Sequence, residues 1–157
     1  MNEKIYLAYG SNLNLEQMSV RCPNAKVLGT ATLNDYKMLF RGGRRCGVAT
    51  IEPSPGDSVP VLLWSITPAC EAALDRYEGF PHFYRKETVT VELNGESVEA
   101  MVYIMNEGQP IALPSPGYYS TIREGYKTAG FDIDVLNKAV DKSCEPTIER
   151  MEICYVD

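Results

Sequence analysis

The sequence is poor in the residues that most metal and hydrolase sites need. Among 157 residues there is one histidine, His82, and the five cysteines form no CxxC pair. Any zinc site or Ser–His–Asp triad would depend on that histidine alone, which removes most hydrolase templates. An odd number of cysteines without paired spacing fits neither a disulfide framework nor a zinc knuckle. We therefore expect no metal site and a location in the reducing cytoplasm.

Long apolar runs and an excess of basic charge are also missing. The longest core-like run, VLLW at residues 61–64, is far shorter than the roughly 18 residues of a membrane span. At the N-terminus a charged pair precedes only IYLAY, which predicts no secretion signal. Fifteen Lys and Arg against 21 Asp and Glu give a net charge of −6. Neither a membrane nor a nucleic acid is expected as a partner.

The length and composition are those of one folded domain. Apolar residues make up 45% of the chain and charged residues 23%, close to the averages for folded domains. A chain of this length buries a core without disulfides or metal. Because no repeat or low-complexity tract divides it, we predict a single domain over residues 1–157.

The first half of the sequence is rich in strand signals. Residues 4–9 (KIYLAY) predict a strand that runs into a loop, and Asn12 or Asn14 can cap a short helix that stops before Pro23. The piece RGGR at 41–44 lacks both nucleotide-binding glycine patterns and is predicted to be a turn. Turn residues separate four further predicted strands, near 26–33, 36–41, 46–52 and 59–66.

The second half alternates helices with a hairpin. Thr67-Pro68 and Ser115-Pro116 each join a hydroxyl cap to a proline at the first helical position, so each predicts a helix start. Residues 84–93 alternate in polarity, Asn94-Gly95 predicts a tight turn, and the return strand is apolar on both faces. A last helix is predicted over 132–143. Six or seven strands with short helices indicate an α+β fold, with a mixed sheet or small β-barrel flanked by those helices.

Glu78 is the carboxylate whose surroundings are unusual. It lies at the predicted C-terminal end of a helix, before Gly79, among leucine, tyrosine and phenylalanine side chains. The helix dipole at that end and apolar neighbours both disfavour its charged form, so we expect a raised pKa suited to a general base. A solvated glutamate at a helix end is the competing interpretation.

The loop after the first strand, Tyr9-Gly10-Ser11-Asn12, is the second candidate site. It lacks the second glycine of a nucleophile elbow, so Ser11 is predicted to complete a turn rather than attack a substrate. Such a loop can direct successive backbone N–H groups outward and form a concave site for an anion.

Several motifs in this order resemble the γ-glutamylcyclotransferase-like family, which includes the AIG2-like proteins. They are YGSNL at 9–13, RCP at 21–23, DYKMLFRGG at 35–43, LDRYEGFPHFY at 74–84, VYIM at 102–105 and PSPGYYSTIREG at 114–125. The resemblance implies a small mixed β-barrel with a cavity at its mouth. It also implies a reaction in which the α-amine of a γ-glutamyl group attacks its own γ-carbonyl and releases 5-oxoproline, without a metal or organic cofactor.

The resemblance also assigns roles to residues. It places the catalytic glutamate at Glu78 and a pocket tyrosine at Tyr118. It also implies that the γ-glutamyl group is held by the backbone of the loop formed by Tyr9, Gly10, Ser11, Asn12 and Leu13. Whether the loop N–H groups bind the substrate carboxylate or the developing oxyanion stays open.

A catalytic γ-glutamylcyclotransferase is the leading prediction, and the sequence leaves open its leaving group and its oligomeric state. The partner is expected to be a small γ-glutamyl molecule, whose leaving amine or amino acid the sequence does not identify. A non-catalytic module that binds a γ-glutamyl or other acidic metabolite is the rival function. His82 is expected at the surface, and Arg41 is left out of the site. The protein is expected to be a monomer or a homodimer, and the tail 151–156 (MEICYV) to be a last strand or a contact between subunits.

Overall fold

A computed structural model describes residues 3–43 and 46–143 of the chain. Within these ranges the protein has five strands, four α-helices and one 3-10 turn at Ser11–Leu13. The strands and helices are, in chain order, β1 (Lys4–Ala8), α1 (Leu15–Arg21), β2 (Lys26–Gly43), β3 (Cys46–Ile66), α2 (Pro68–Glu78), β4 (Tyr84–Leu93), β5 (Glu96–Met105), α3 (Pro116–Ala129) and α4 (Ile133–Lys142). No helix in these ranges is long and apolar enough to cross a membrane.

The strands form one mixed sheet in the order β2-β3-β1-β5-β4. The central strand β1 is antiparallel to β3 and parallel to β5, while β2–β3 and β4–β5 are antiparallel hairpins. The predicted α+β class with a mixed sheet is therefore confirmed. The barrel is only a loose description, because no ladder joins the edge strands β2 and β4 in the described part of the chain. A register shift at Val27/Gly29 interrupts β2 where the Leu93 side chain of β4 approaches it.

The four strands predicted at 26–33, 36–41, 46–52 and 59–66 are in fact two long strands, β2 and β3. The turn signal at Asn34-Asp35 produces a register shift instead of a chain reversal. Asp35 has a φ of 67°, and its carboxylate accepts a hydrogen bond from the Gly56 N–H at 3.0 Å. The prediction of six or seven strands was wrong because residues that favour turns can also be accommodated in an irregular strand pair. Gly42 and Gly43, predicted as a turn, belong to β2, and Arg44 lies outside the described residues.

The helix boundaries follow the predicted caps. The side chain of Asn14, not Asn12, caps α1 by accepting a hydrogen bond from the Gln17 N–H. Thr67 and Ser115 cap α2 and α3 in the same way, with a proline following each cap. Helix α4 confirms the predicted last helix, while the tail 151–156 lies outside the described residues.

The core lies around β1 and β5. Residues 100–105 of β5 are buried on both faces, as the apolar return strand predicted. On one side, α3 packs directly on the 3-10 turn, where a Cβ atom at Gly125 would lie 2.6 Å from the Leu13 Cβ. The absent side chain at Gly125 therefore lets α3 touch the turn that follows β1. This contact fixes the position of that turn relative to the sheet.

Candidate active site

A cavity of about 260 Å³ opens where β1 ends, beside the C-terminal end of α2 and the first turn of α3. Most of its wall is aromatic, and Glu78 is the one carboxylic acid among the described residues that line it. The lining residues are Tyr6, Leu7, Tyr9, Gly10, Ser11, Asn12, Val48, Ala49, Tyr77, Glu78, Phe83, Tyr84, Tyr103 and Tyr118.

Glu78 reaches this cavity because α2 ends there. Gly79 adopts the left-handed conformation with a φ of 67°, and the Phe80 N–H returns to the Asp75 carbonyl at 2.9 Å, which closes the helix. Glu78 keeps part of its surface open to the cavity, yet burial raises the pKa of its carboxyl to about 7. The positive charge of Arg21 opposes this shift. Glu78 is thus an enclosed carboxylate rather than a solvated one.

A polar network holds α2 against the sheet. Lys86 of β4 bonds the carboxylates of Glu71 and Asp75, with Nζ to oxygen distances of 2.6 and 3.1 Å. The Tyr103 hydroxyl of β5 donates to Asp75 at 2.6 Å. These contacts anchor the helix along its length, so its last residue, Glu78, is fixed at the cavity.

The 3-10 turn Ser11–Leu13 contributes Ser11 and Asn12 to the cavity lining. Its internal hydrogen bonds use the N–H groups of Leu13 and Asn14, both at 3.0 Å. The N–H groups of Ser11 and Asn12 are at the start of the turn, where a helical backbone does not bond them itself. The turn therefore places two backbone donors beside the cavity.

The side chains of this turn are bonded to the protein. The Ser11 hydroxyl lies 2.9 Å from the Tyr77 hydroxyl, so its partner is a phenol and not a base. The Asn12 amide donates to the Tyr6 hydroxyl at 2.9 Å and accepts from Arg21 at 2.6 Å. Ser11 is consequently a turn residue, as its sequence context predicts. The contribution of Ser11 and Asn12 to a ligand would come from their backbone.

Of two adjacent tyrosines on α3, the structure brings Tyr118 to the cavity. Its hydroxyl accepts a hydrogen bond from the Ala49 N–H at 3.0 Å and lies close to Gly10. The Tyr119 hydroxyl instead donates to Asn137 at 2.6 Å on the exposed side of α3.

The cavity tyrosines differ in how their hydroxyl protons are used. Tyr9 and Tyr84 donate to the carbonyls of Tyr103 and Ala49, so their protons are committed within the protein. Tyr6 accepts from Asn12 and Tyr118 accepts from Ala49, so in these bonds neither uses its own proton. Their protons are therefore not used in these bonds and can be donated to a carboxylate or carbonyl in the cavity.

The structure separates Leu13 from the other predicted site residues. Leu13 is fully buried against Gly125 and is not among the cavity-lining residues, so its side chain supports the turn. His82 is exposed and outside the lining, as expected. Arg41 is bonded to Glu52 and to a backbone carbonyl away from this cavity.

Sequence reasoning missed much of the aromatic wall. Tyr6, Tyr77 and Tyr103 lie on three different elements, and nothing in their spacing indicates that they share a cavity. In the sequence, Arg21 stands out only as the first residue of the RCP motif. In the part of the chain that the structure describes, no three His, Cys, Asp or Glu side chains are grouped as metal ligands would be.

Comparisons with known proteins identify the family of this chain. The family profile described as "Gamma-glutamyl cyclotransferase, AIG2-like" matches residues 6–123. Proteins named "Gamma-glutamylcyclotransferase" from Bos taurus and Homo sapiens are 32% and 31% identical over 151 residues, covering 90% of this chain and 79% of each relative. A solved "Gamma-glutamyl cyclotransferase" structure has a TM-score of 0.76 at 29% identity, covering 99% of this chain and 100% of that one. Because the profile covers most of the sequence and the relatives are similar across most of their length, the chain belongs to the AIG2-like gamma-glutamyl cyclotransferase family.

Proposed function

We propose that this protein is a γ-glutamylcyclotransferase that converts a small γ-glutamyl compound into 5-oxoproline and a free amino acid or amine. The observation that carries the proposal is Glu78, an enclosed carboxyl with a pKa of about 7, in a tyrosine-lined cavity that Ser11 and Asn12 also line. We further propose that it acts as a single-domain monomer or homodimer in the cytoplasm. The three described cysteines are free thiols, which is consistent with that location.

Glu78 can carry the proton transfers of this reaction, in which two protons leave the attacking nitrogen and the leaving nitrogen gains them. The α-ammonium group of the substrate has an ordinary pKa of about 8, so it must lose a proton before its nitrogen can attack. A carboxylate with a pKa near 7 accepts that proton at neutral pH. The neutral nitrogen then bonds to the γ-carbon, and Glu78 gives the proton to the leaving nitrogen as the original amide bond breaks. The ring nitrogen still carries one proton too many, which Glu78 accepts and passes to the departing amine, so that the lactam is neutral and Glu78 is a carboxylate again. Every atom of the substrate appears in the two products.

The rest of the cavity is suited to holding the substrate bent. Ring closure within one molecule depends on bringing its two reacting atoms together, which is mainly an entropic task. We assign the N–H groups of Ser11 and Asn12 to an oxygen of the γ-glutamyl group, either the α-carboxylate or the oxyanion formed at the γ-carbonyl. Ligand cavities usually measure about 300–1,000 Å³. The 260 Å³ available here matches a small γ-glutamyl group whose leaving group extends towards the mouth.

The proposal is tested by measuring 5-oxoproline release with mass spectrometry. The substrates are a panel of γ-glutamyl amino acids and γ-glutamyl amines, and each reaction is repeated after dialysis against EDTA. We expect release from at least one substrate and no loss of activity after dialysis. Ligands that raise the melting temperature but stay intact would instead support a non-catalytic binding module.

Tyr118→Phe is expected to lower kcat/KM about tenfold. The substitution removes a hydroxyl that faces the cavity and leaves the Ala49 N–H without its acceptor. Tyr119→Phe is the matched control, since its hydroxyl bonds Asn137 away from the cavity. Steady-state kinetics of both variants on the best substrate of the panel checks this prediction. Equal kcat/KM values for the two variants would contradict a role for the Tyr118 hydroxyl.

A further inference from the structure

Arg21, the last residue of α1, lies behind the cavity wall and not in it. Its guanidinium donates to the Asn12 side-chain oxygen at 2.6 Å and to the Gln17 side-chain oxygen at 2.7 Å. The same group stacks on the Tyr77 ring, 3.6 Å from the ring centroid. One planar cation therefore contacts two residues that line the cavity from different elements.

These contacts join the 3-10 turn to the C-terminal end of α2. Asn12 belongs to the turn that carries the backbone donors, and Tyr77 immediately precedes Glu78 on α2. The Ser11 and Tyr77 hydroxyls are 2.9 Å apart, so the turn and the helix end are joined a second time. Arg21 thus ties the ligand-facing turn to the end of the helix that presents the carboxylate.

Arg21 is also the positively charged group that acts on the carboxyl of Glu78. The groups around this carboxyl are Tyr6 of β1, Tyr9 directly after β1, Tyr84 of β4, Tyr118 of α3, Tyr77 of α2 and Arg21 of α1. The pKa values of Tyr6, Tyr9, Tyr84 and Tyr118 are all raised, chiefly by burial, so these phenols stay neutral. Burial raises the pKa of Glu78, and the charge of Arg21 is the opposing influence.

We propose that Arg21 is a positioning residue, which holds the turn at Asn12 against the Tyr77 end of α2 and supplies the positive charge that keeps Glu78 available as a base. The inference rests on the proposed function for the identity of the reaction. Its geometric basis is the pair of hydrogen bonds and the ring stacking of a single guanidinium.

Two variants separate the charge from the geometry. Arg21→Gln removes the positive charge. Arg21→Lys keeps the charge but loses the planar guanidinium group that contacts Asn12, Gln17 and Tyr77 at the same time. Arg76→Gln is the matched control, because it removes one exposed cation from α2, beside Tyr77. For each protein we would measure kcat and KM across pH. We would also titrate the Glu78 carboxyl carbon by NMR without ligand, with Glu78→Gln to assign the signal.

Both Arg21 variants are expected to lower kcat by about 10–100-fold, because small displacements of reacting groups are costly. Arg21→Gln should also raise the titration midpoint of the Glu78 carboxyl by about one pH unit. Removing an opposite charge near a carboxylate typically raises its pKa by about one to three units, and we expect the low end of that range. Arg21→Lys should move that midpoint less, and Arg76→Gln should change neither quantity.

The proposal would be overturned if folded Arg21→Gln had the same Glu78 titration midpoint as wild type. It would also be overturned if kcat of both variants stayed within twofold of wild type. Should Arg21→Gln fail to fold, kcat of Arg21→Lys decides the geometric part. If the Arg21→Lys variant were less stable than wild type but fully active, Arg21 would contribute to stability alone and would not position the site. Absence of 5-oxoproline release from wild type would contradict the proposed function, while the NMR titration would still test the effect of Arg21 on Glu78.

Discussion

Replacing Glu78 with glutamine is expected to lower kcat by about 10²–10⁴-fold while the fold stays intact. Glutamine has nearly the same shape as glutamic acid, but it cannot take a proton from the substrate ammonium or return one to the leaving nitrogen. Proton transfer by a positioned side chain typically contributes that range of rate. No other carboxylic acid among the described residues lines the cavity, so none of them replaces the lost base.

The measurement is 5-oxoproline release under single-turnover and steady-state conditions. Glu124→Gln, an exposed acid on α3, is the control for the change of charge and should retain full activity. Substrate should still raise the melting temperature of Glu78→Gln, because the turn and the tyrosines that hold it are unchanged. Substantial turnover by Glu78→Gln would show that another group acts as the base.

Much of this site follows from local sequence signals. The hydroxyl and proline at Thr67-Pro68 determine where α2 begins, and Gly79 determines where it ends. Because the helix must stop at that glycine, Glu78 could be predicted at a helix end among apolar neighbours. The Asn94-Gly95 turn was equally predictable, since its backbone conformation is required by a short hairpin.

What the sequence did not predict depends on contacts between distant residues. Four strands were expected where two long ones form, because the local turn preference at Asn34-Asp35 yields to the pairing of β2 with β3. Leu13 belongs to a continuous motif, and the sequence does not show that Gly125 of α3 packs against its side chain. The stacking of Arg21 on Tyr77 joins two helices, and no spacing rule in one sequence indicates such a pair.

The enclosed carboxyl of Glu78 should also make the protein less stable as pH rises. In the folded state its pKa is about 7, against an ordinary value of 4.5. Between these values the folded protein holds a proton that the unfolded chain releases, so the free energy of unfolding decreases as pH rises through this window. Below about pH 4 both states are protonated and the effect is absent.

Glu78→Gln removes this penalty, so we expect it to be more stable than wild type by about 3 kcal/mol at pH 8, from roughly 1.4 kcal/mol per pKa unit. The advantage should shrink to near zero at pH 4. Urea unfolding of both proteins across this range measures it, with Glu124→Gln as a control that should follow wild type. Equal stability of Glu78→Gln and wild type at pH 8 would mean that the carboxylate is not enclosed. A gain in stability together with a loss of turnover in the same variant would show that the charged form of Glu78 is kept for catalysis at the expense of the fold.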